Sequence, residues 1–115
     1  MESILASVKD FIGPTVDNTD FDTAIIIQIN TALSILTQLG VGPPEGFYIE
    51  GESETWADFM KEDPRFNMAK TFVQLKAKLV FDPPASSTIL ESYNQTVKEI
   101  ESRLTYIDVE STPNQ

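Results

Sequence analysis

Residues 20–39, DFDTAIIIQINTALSILTQL, form the most apolar stretch of the chain and decide its fold class. Apolar residues recur there every three or four positions and make one stripe along a helix: Ile25, Ile29, Ala32, Leu33, Leu36 and Leu39. Additional isoleucines widen the stripe to most of the circumference, which is typical of a central buried helix. The isoleucine run also fits a buried strand, but the length of the segment and Gly40 after it favour a helix. Asp20 is the predicted N-cap.

Three more segments have helical spacing, at residues 3–12, 63–81 and 88–107. Gly13-Pro14 ends the first of them, and Asp63-Pro64 is a strong start signal for the second. Thr88 and Glu91 form a predicted capping box at the start of the last. We expect the helices to share one core, which includes Ile29, Leu33, Leu36, Phe72, Leu75, Val97 and Ile100.

The sequence therefore predicts an all-α fold, a small helical bundle of four main helices with a long Gly/Pro-rich loop between the second and third. That loop, residues 40–63, contains four of the five glycines. A short extended piece at 47–50 and a helical turn at 53–60 are expected within it. Residues 1–107 form a single helical domain, and 108–115 are expected to be a flexible C-terminal tail.

The charge and composition exclude several classes of function. The chain has 18 acidic and 8 basic residues, a formal charge of −10, and neither cysteine nor histidine. Disulfides, Cys/His zinc sites, thiol nucleophiles and histidine-based acid–base catalysis are thereby excluded. The acidic balance disfavours nucleic-acid binding, and no stretch reaches the roughly 20 apolar residues that span a bilayer. The start of the chain has no basic leader, so it does not predict a secretory signal.

Three patterns resemble functional motifs but lack what those motifs need. Asp17, Asp20 and Asp22 cluster without the glycine and glutamate of a calcium loop. Residues 40–46 are glycine-rich like a phosphate loop, but two prolines remove backbone donors and a glutamate repels anions. The glutamates of residues 50–54 could supply the carboxylate pair of a glycosidase, but such a run of charge is typical of a solvated face. The sequence thus predicts no catalytic, cofactor-binding or metal-binding residue.

Charge is unevenly divided between two adjacent segments. Residues 45–63 carry seven acids and one base, a local charge of 1 − 7 = −6, whereas residues 64–81 carry four bases and no acid. The four bases are Arg65, Lys70, Lys76 and Lys78. Either the two segments neutralise each other within the chain, or they pair between copies arranged head to tail. Pairing between copies predicts association that weakens as salt rises.

The same acidic loop contains four aromatic residues, Phe47, Tyr48, Trp56 and Phe59. Aromatic rings in a polar loop either pack over a small satellite core of the same subunit or form a binding surface for a partner protein, and both alternatives stay open. We expect the loop to be mobile in an isolated subunit, with Trp56 exposed, and to become ordered on docking.

Three stretches together resemble a known family. They are ESILASVKDFIG at residues 2–13, IIIQINTALSILTQLGVGPPEGFYI at residues 25–49 and KTFVQLKAKLVFDPPASSTILESYNQTVKEIESRL at residues 70–104. The most specific pieces are QLGVGPPEGF at 38–47 and the VFDPPASS run that begins at residue 80. The chain resembles the head–tail connectors, also called adaptors or head completion proteins, of long-tailed double-stranded DNA bacteriophages.

The resemblance implies a non-enzymatic virion protein of the head–tail neck, present in the host cytoplasm during assembly. Such a protein forms a homo-oligomeric ring, often twelve-fold, beneath the portal protein and joins the head to a tail-side neck or stopper protein. Double-stranded DNA passes through its channel without specific binding, and no cofactor or membrane is involved. The candidate interface residues are then the four aromatics and the four bases named above. The alternative is a small phage regulatory or chaperone-like module that acts as a monomer or dimer.

Overall fold

The computed structural model describes residues 2–60 and 63–110, with side chains as far as Thr105. Five α-helices follow one another: α1 Ile4–Ile12, α2 Asp22–Gln38, α3 Trp56–Phe59, α4 Phe66–Phe81 and α5 Ser87–Glu110. A 3₁₀ turn at Pro14–Val16 joins the first two. The described residues contain no strand, only an isolated bridge between Ser3 and Thr55. The predicted all-α bundle with four main helices is confirmed.

Helix α4 lies at the centre, packed by α1, α2 and α5. Polar contacts fix the helix directions: Lys70 pairs with Glu2 at 2.6 Å, and the Lys78 ammonium donates to the Ile12 carbonyl at 2.8 Å. Helix α1 therefore runs parallel to α4. Lys9 pairs with Asp22 at 2.6 Å, which places the start of α2 beside the second half of α1. One end of the bundle thus gathers the C-terminal ends of α1 and α4 and the N-terminal ends of α2 and α5.

The predicted core is confirmed, because all seven residues expected to share it are buried. Its largest side chain is Phe72 on α4, which is fully buried. Ala69 and Ala77 on the same helix are also fully buried, and their small side chains let neighbouring helices approach closely. The core extends beyond the prediction, since Val41, Ile49 and residues of α3 join it.

The three predicted helix starts are displaced in the structure. At α2, Phe21 takes the N-cap position in place of Asp20 and offers no side-chain cap. At α4, the Asp63 carboxylate accepts from the Arg65 backbone N–H at 2.8 Å, so the predicted cap closes a turn before the helix instead. At α5, Ser86 rather than Thr88 caps the helix, and its hydroxyl accepts from the Ile89 backbone N–H at 3.3 Å.

Helix α5 packs along α4 through the narrow seam that the sequence predicts. Its buried residues among those described are Val97, Ile100 and Leu104, while Leu90 and Tyr93 are half-buried. The helix runs to Glu110, so the first three residues of the predicted flexible tail are helical. Residues 111–115 lie outside the described part of the chain.

We predict that Leu36→Ala lowers the free energy of unfolding by about 2–5 kcal/mol, because it leaves a cavity at a fully buried site. The matched control is Ser34→Ala, two residues away on the exposed face of the same helix, with an effect within about 0.5 kcal/mol. Urea denaturation measures both. A loss below about 0.5 kcal/mol for Leu36→Ala would place α2 at the periphery.

Candidate interaction surface

The loop that follows α2 is held against that helix by a side-chain amide. Asn30 donates from Nδ2 to the Ile49 carbonyl at 3.0 Å, and its Oδ1 accepts from the Ile49 backbone N–H at 2.8 Å. Both backbone groups of Ile49 are thereby satisfied while its side chain is buried. The Asn30 amide thus supplies the two backbone hydrogen bonds that a neighbouring strand would supply to this extended segment in a sheet.

The end of the loop is attached to the N-terminus of the chain. The Ile4 N–H donates to the Glu54 carbonyl at 3.0 Å, and the Trp56 N–H donates to the Glu2 carbonyl at 3.2 Å. The Trp56 indole Nε1 donates to the Ser7 hydroxyl on α1 at 2.7 Å. Trp56 is only 3% exposed, and its ring lies 6.1 Å from that of Phe66 on α4. The expectation that Trp56 is exposed in the isolated subunit is therefore wrong.

The other aromatic candidates divide between core and surface. Phe59 is 2% exposed, and its ring centroid lies 5.5 Å from that of half-buried Phe47. Tyr48 is 64% exposed because successive residues of an extended segment point to opposite sides and Ile49 takes the inner one. The loop aromatics Phe47 and Phe59 thus pack into or against the shared core, and Tyr48 is the candidate aromatic that solvent reaches most.

Two acids of the loop, Glu54 and Asp58, form hydrogen bonds that hold the loop backbone in place. The two oxygens of Glu54 accept from the backbone N–H groups of Glu50 at 2.9 Å and Gly51 at 3.3 Å. Asp58 and Thr55 form a reciprocal capping box at the start of α3. A charge count along the sequence does not reveal such bonds, because they depend on how the loop turns.

Three of the four candidate bases form ion pairs within the chain. Arg65 pairs with Asp63 at 2.7 Å, Lys70 with Glu2, and Lys78 with Asp82 at 3.0 Å. Lys76 is half-buried, with its ammonium 5.7 Å from the centre of the Phe72 ring. Neutralisation inside the chain is therefore present, although Lys70 and Lys78 find their acids outside residues 45–63.

One of these pairs changes the titration of its acid. The hydrogen bond from the Arg65 guanidinium, opposed by partial burial, lowers the pKa of Asp63. A lowered pKa in the folded chain means that the pair stabilises the fold above the ordinary aspartate pKa. The stabilisation is lost as the pH falls through the lowered value.

The structure adds apolar surface that the sequence analysis missed. Exposed large apolar side chains in the described residues are Phe11, Phe21, Ile27, Tyr48, Val80 and Ile89. Val80 belongs to the apolar pattern of α4 but lies in its last turn, where the bundle leaves it uncovered. Ile27 lies opposite the buried stripe of α2, which the sequence could have shown by helical spacing alone.

The described residues offer neither a metal site nor a membrane span. No group of three or more metal-ligating side chains comes together among them. Asp22, one of the clustered acids, pairs instead with Lys9. None of the described helices combines the length and apolar character that crossing a membrane requires.

Comparison with known proteins identifies a family that the chain matches. A family model described as phage connector protein matches residues 4–111 of the chain. No curated protein and no solved structure matches it. The matched range includes every helix of the bundle.

We predict that Trp56, the only tryptophan, fluoresces with a blue-shifted, quencher-shielded emission in the monomer, because its indole is buried. Trp56→Ala should lower the free energy of unfolding by about 3–5 kcal/mol. Ser7→Ala should cost about 1–3 kcal/mol, since it leaves the buried indole N–H without its acceptor. A red-shifted, accessible emission from the monomer would contradict the burial of this residue.

Two glycines of the loop test how tightly it packs. Both have a left-handed φ, +85° at Gly42 and +96° at Gly46. A Cβ at Gly42 would lie 2.4 Å from Cε1 of Phe59, whereas a Cβ at Gly46 would meet nothing within 4 Å. We expect Gly46→Ala to cost about 1–2 kcal/mol from backbone strain alone, and Gly42→Ala to cost clearly more in urea denaturation. Equal losses would show that the Phe59 ring moves aside freely.

Proposed function

This chain belongs to the phage connector protein family and has the general role of a head–tail connector, and from that premise we propose how it acts. Copies of the chain assemble into a ring, twelve-fold in our proposal, beneath the portal protein. The ring joins the DNA-filled head to the tail-side neck or stopper protein. It sits in the virion neck and forms part of the channel through which DNA leaves.

The observation that carries the proposal is the extent of the family match. Residues 4–111 contain all five helices, so the match covers the whole bundle rather than one motif within it. The match that supports the connector role therefore rests on the bundle as a unit.

The charge of the chain supports a channel function. A formal charge of −10 repels phosphate, and the bases Arg65, Lys70 and Lys78 are held in ion pairs within the chain. DNA affinity comes mainly from cations that displace phosphate counterions. A ring of such subunits therefore lets DNA slide past without binding it.

The eight interface candidates take different parts in this proposal. Tyr48 is available to a neighbouring protein, and Lys76 makes no ion pair with any described side chain. The other candidates shape the surface from within. Phe47, Trp56 and Phe59 pack under the loop. Lys70 and Lys78 tie α4 to residues at the two ends of α1, and Arg65 pairs with Asp63 just before α4. A partner then meets the folded loop rather than ordering it.

The alternative, a regulatory or chaperone-like module, required the aromatic residues of the loop to bind one partner protein. With Trp56 and Phe59 buried in the subunit, that observation no longer favours it. Ring assembly remains the function that we propose.

Native mass spectrometry of the purified chain, alone and mixed with the portal protein of the same phage, tests the proposal. We expect a closed species of about twelve copies, alone or on the portal, because the family acts as a connector. A strict monomer or dimer under both conditions would contradict ring assembly. The measured mass also gives the ring number directly.

A further inference from the structure

The outer face of α2 carries no charge. Residues 23–44 contain no Asp, Glu, Lys or Arg, in a chain of which 23% is charged. Several of these residues are nevertheless exposed: Thr23, Ala24, Ile27, Thr31, Ser34 and Gln38. Ile27, at 62% exposed, is the largest apolar side chain among them. Solvent-facing helix surfaces are normally charged, so this face has the composition of a covered surface.

Tyr48 extends this surface beyond the helix. It precedes Ile49, which Asn30 holds against α2, and Asn30 lies three residues after Ile27 on the same helix. We call the exposed residues of α2 from Thr23 to Gln38, together with Tyr48, the α2 face.

A second uncharged surface lies where α4 turns into α5. Residues 83–90, PPASSTIL, carry no charge, and Asp82 before them is paired with Lys78. Val80 is 57% exposed and Ile89 48%. We call residues 83–90, together with Val80, the hairpin tip. It joins exposed apolar side chains to small hydroxyl residues, as the α2 face does.

The two surfaces are formed by different elements, and the α2 face points away from the helix α4 that leads into the hairpin tip. Ile25 and Ile29 are buried, and Ile27, midway between them, points to the opposite side of the helix. The hairpin tip belongs to α4 and α5, and α4 packs against the buried stripe of α2. A symmetric dimer would use one surface twice, whereas two different surfaces suit a head-to-tail contact, which closes into a ring.

The charge of the chain indicates which molecule covers the two uncharged surfaces. A basic partner would be attracted to the acidic parts of the chain and would gain nothing from uncharged ones. A second copy also carries a net charge of −10, so a contact between two copies avoids like-charge repulsion where neither surface is charged. We propose that neighbouring copies meet head to tail, with the α2 face of one copy against the hairpin tip of the next. This contact rests on the proposed ring and gives it a subunit interface.

Cysteine cross-linking tests the contact, because the chain has no cysteine of its own. Ser34→Cys places a thiol on the α2 face, Ser87→Cys places one at the hairpin tip, and Ser102→Cys on exposed α5 surface is the matched control. A short bismaleimide should join dimers in a mixture of Ser34→Cys and Ser87→Cys. It should join none in either variant alone or in mixtures with the control. The double variant should give a ladder of covalent oligomers.

Ile27→Glu, added to Ser34→Cys, should abolish the cross-linked dimer, since it places a charge against the apolar tip. Cross-linking of Ser34→Cys alone would show that the α2 face pairs with itself and would overturn the proposal. Failure of the mixture, while the wild-type chain forms a ring, would leave the ring in place and overturn this interface. Specific cross-links without a closed ring would support the interface and contradict the ring.

Salt gives an independent measurement. If uncharged surfaces join two copies of charge −10, raising the salt concentration from about 0.05 to about 0.5 M screens the repulsion and strengthens association in sedimentation velocity. Acid–base pairing between residues 45–63 and 64–81 of neighbouring copies predicts the reverse, a weakening. A fall in oligomer size with salt would therefore overturn the proposed contact.

Discussion

Helix α4 is packed from three sides, by α1, α2 and α5, and the rest of the structure depends on that burial. The constraint is met by side-chain size: Phe72 fills the centre of the core, while Ala69 and Ala77 let other helices come close. Lysines at the margins of the helix fix the register of α1, since Lys70 reaches Glu2 and Lys78 reaches the Ile12 carbonyl. Partly exposed pairs of this kind contribute only about 0–1 kcal/mol, so they align helices that apolar burial holds together.

The loop between α2 and α4 follows from the same need for burial. A bundle in which α4 is shared by three helices leaves the ends of α1 and α2 to be covered, and Trp56, Phe59 and Ile49 cover them. The polar bonds of Asn30 and Ser7 make that cover specific, because each satisfies a buried donor or acceptor. The segment that most resembles a flexible binding loop is thus part of the core.

The charged side chains are paired differently from what the net charges of residues 45–63 and 64–81 indicate. Glu54 and Asp58 of the loop bond to its own backbone, and Lys70 and Lys78 of α4 are paired inside the chain. The surface that we propose for contacts between copies carries no charge and lies on the outer side of α2 and at the turn from α4 to α5. In the ring that we propose, this separation is useful, because acidic surface would face phosphate without binding it while uncharged surface would hold subunits together.

The sequence by itself determined the helices and the shared core. Residues such as Ile29, Leu36, Phe72 and Val97 lie on stripes whose spacing is a local property of the chain, so periodicity was sufficient. Helix starts were harder to place, because α2 begins without a side-chain cap, Asp63 closes a turn before α4, and Ser86 takes the cap of α5. The family resemblance was also present in the sequence, in the motifs at 38–47 and 80–87.

Only the tertiary structure decided the fate of the candidate interface. Whether Trp56 faces solvent or Ser7 depends on a contact between residues 49 positions apart, and composition carries no information about such pairings. Lys70 likewise bonds to distant Glu2, and Lys78 bonds to distant Ile12 as well as to Asp82 four residues along. Exposure of Val80 was hidden for the same reason, since its spacing matches that of buried Val73 and Ala77 and only the packing of the helices leaves it uncovered. Local patterns fix which residues can be buried, and long-range packing fixes which of them are.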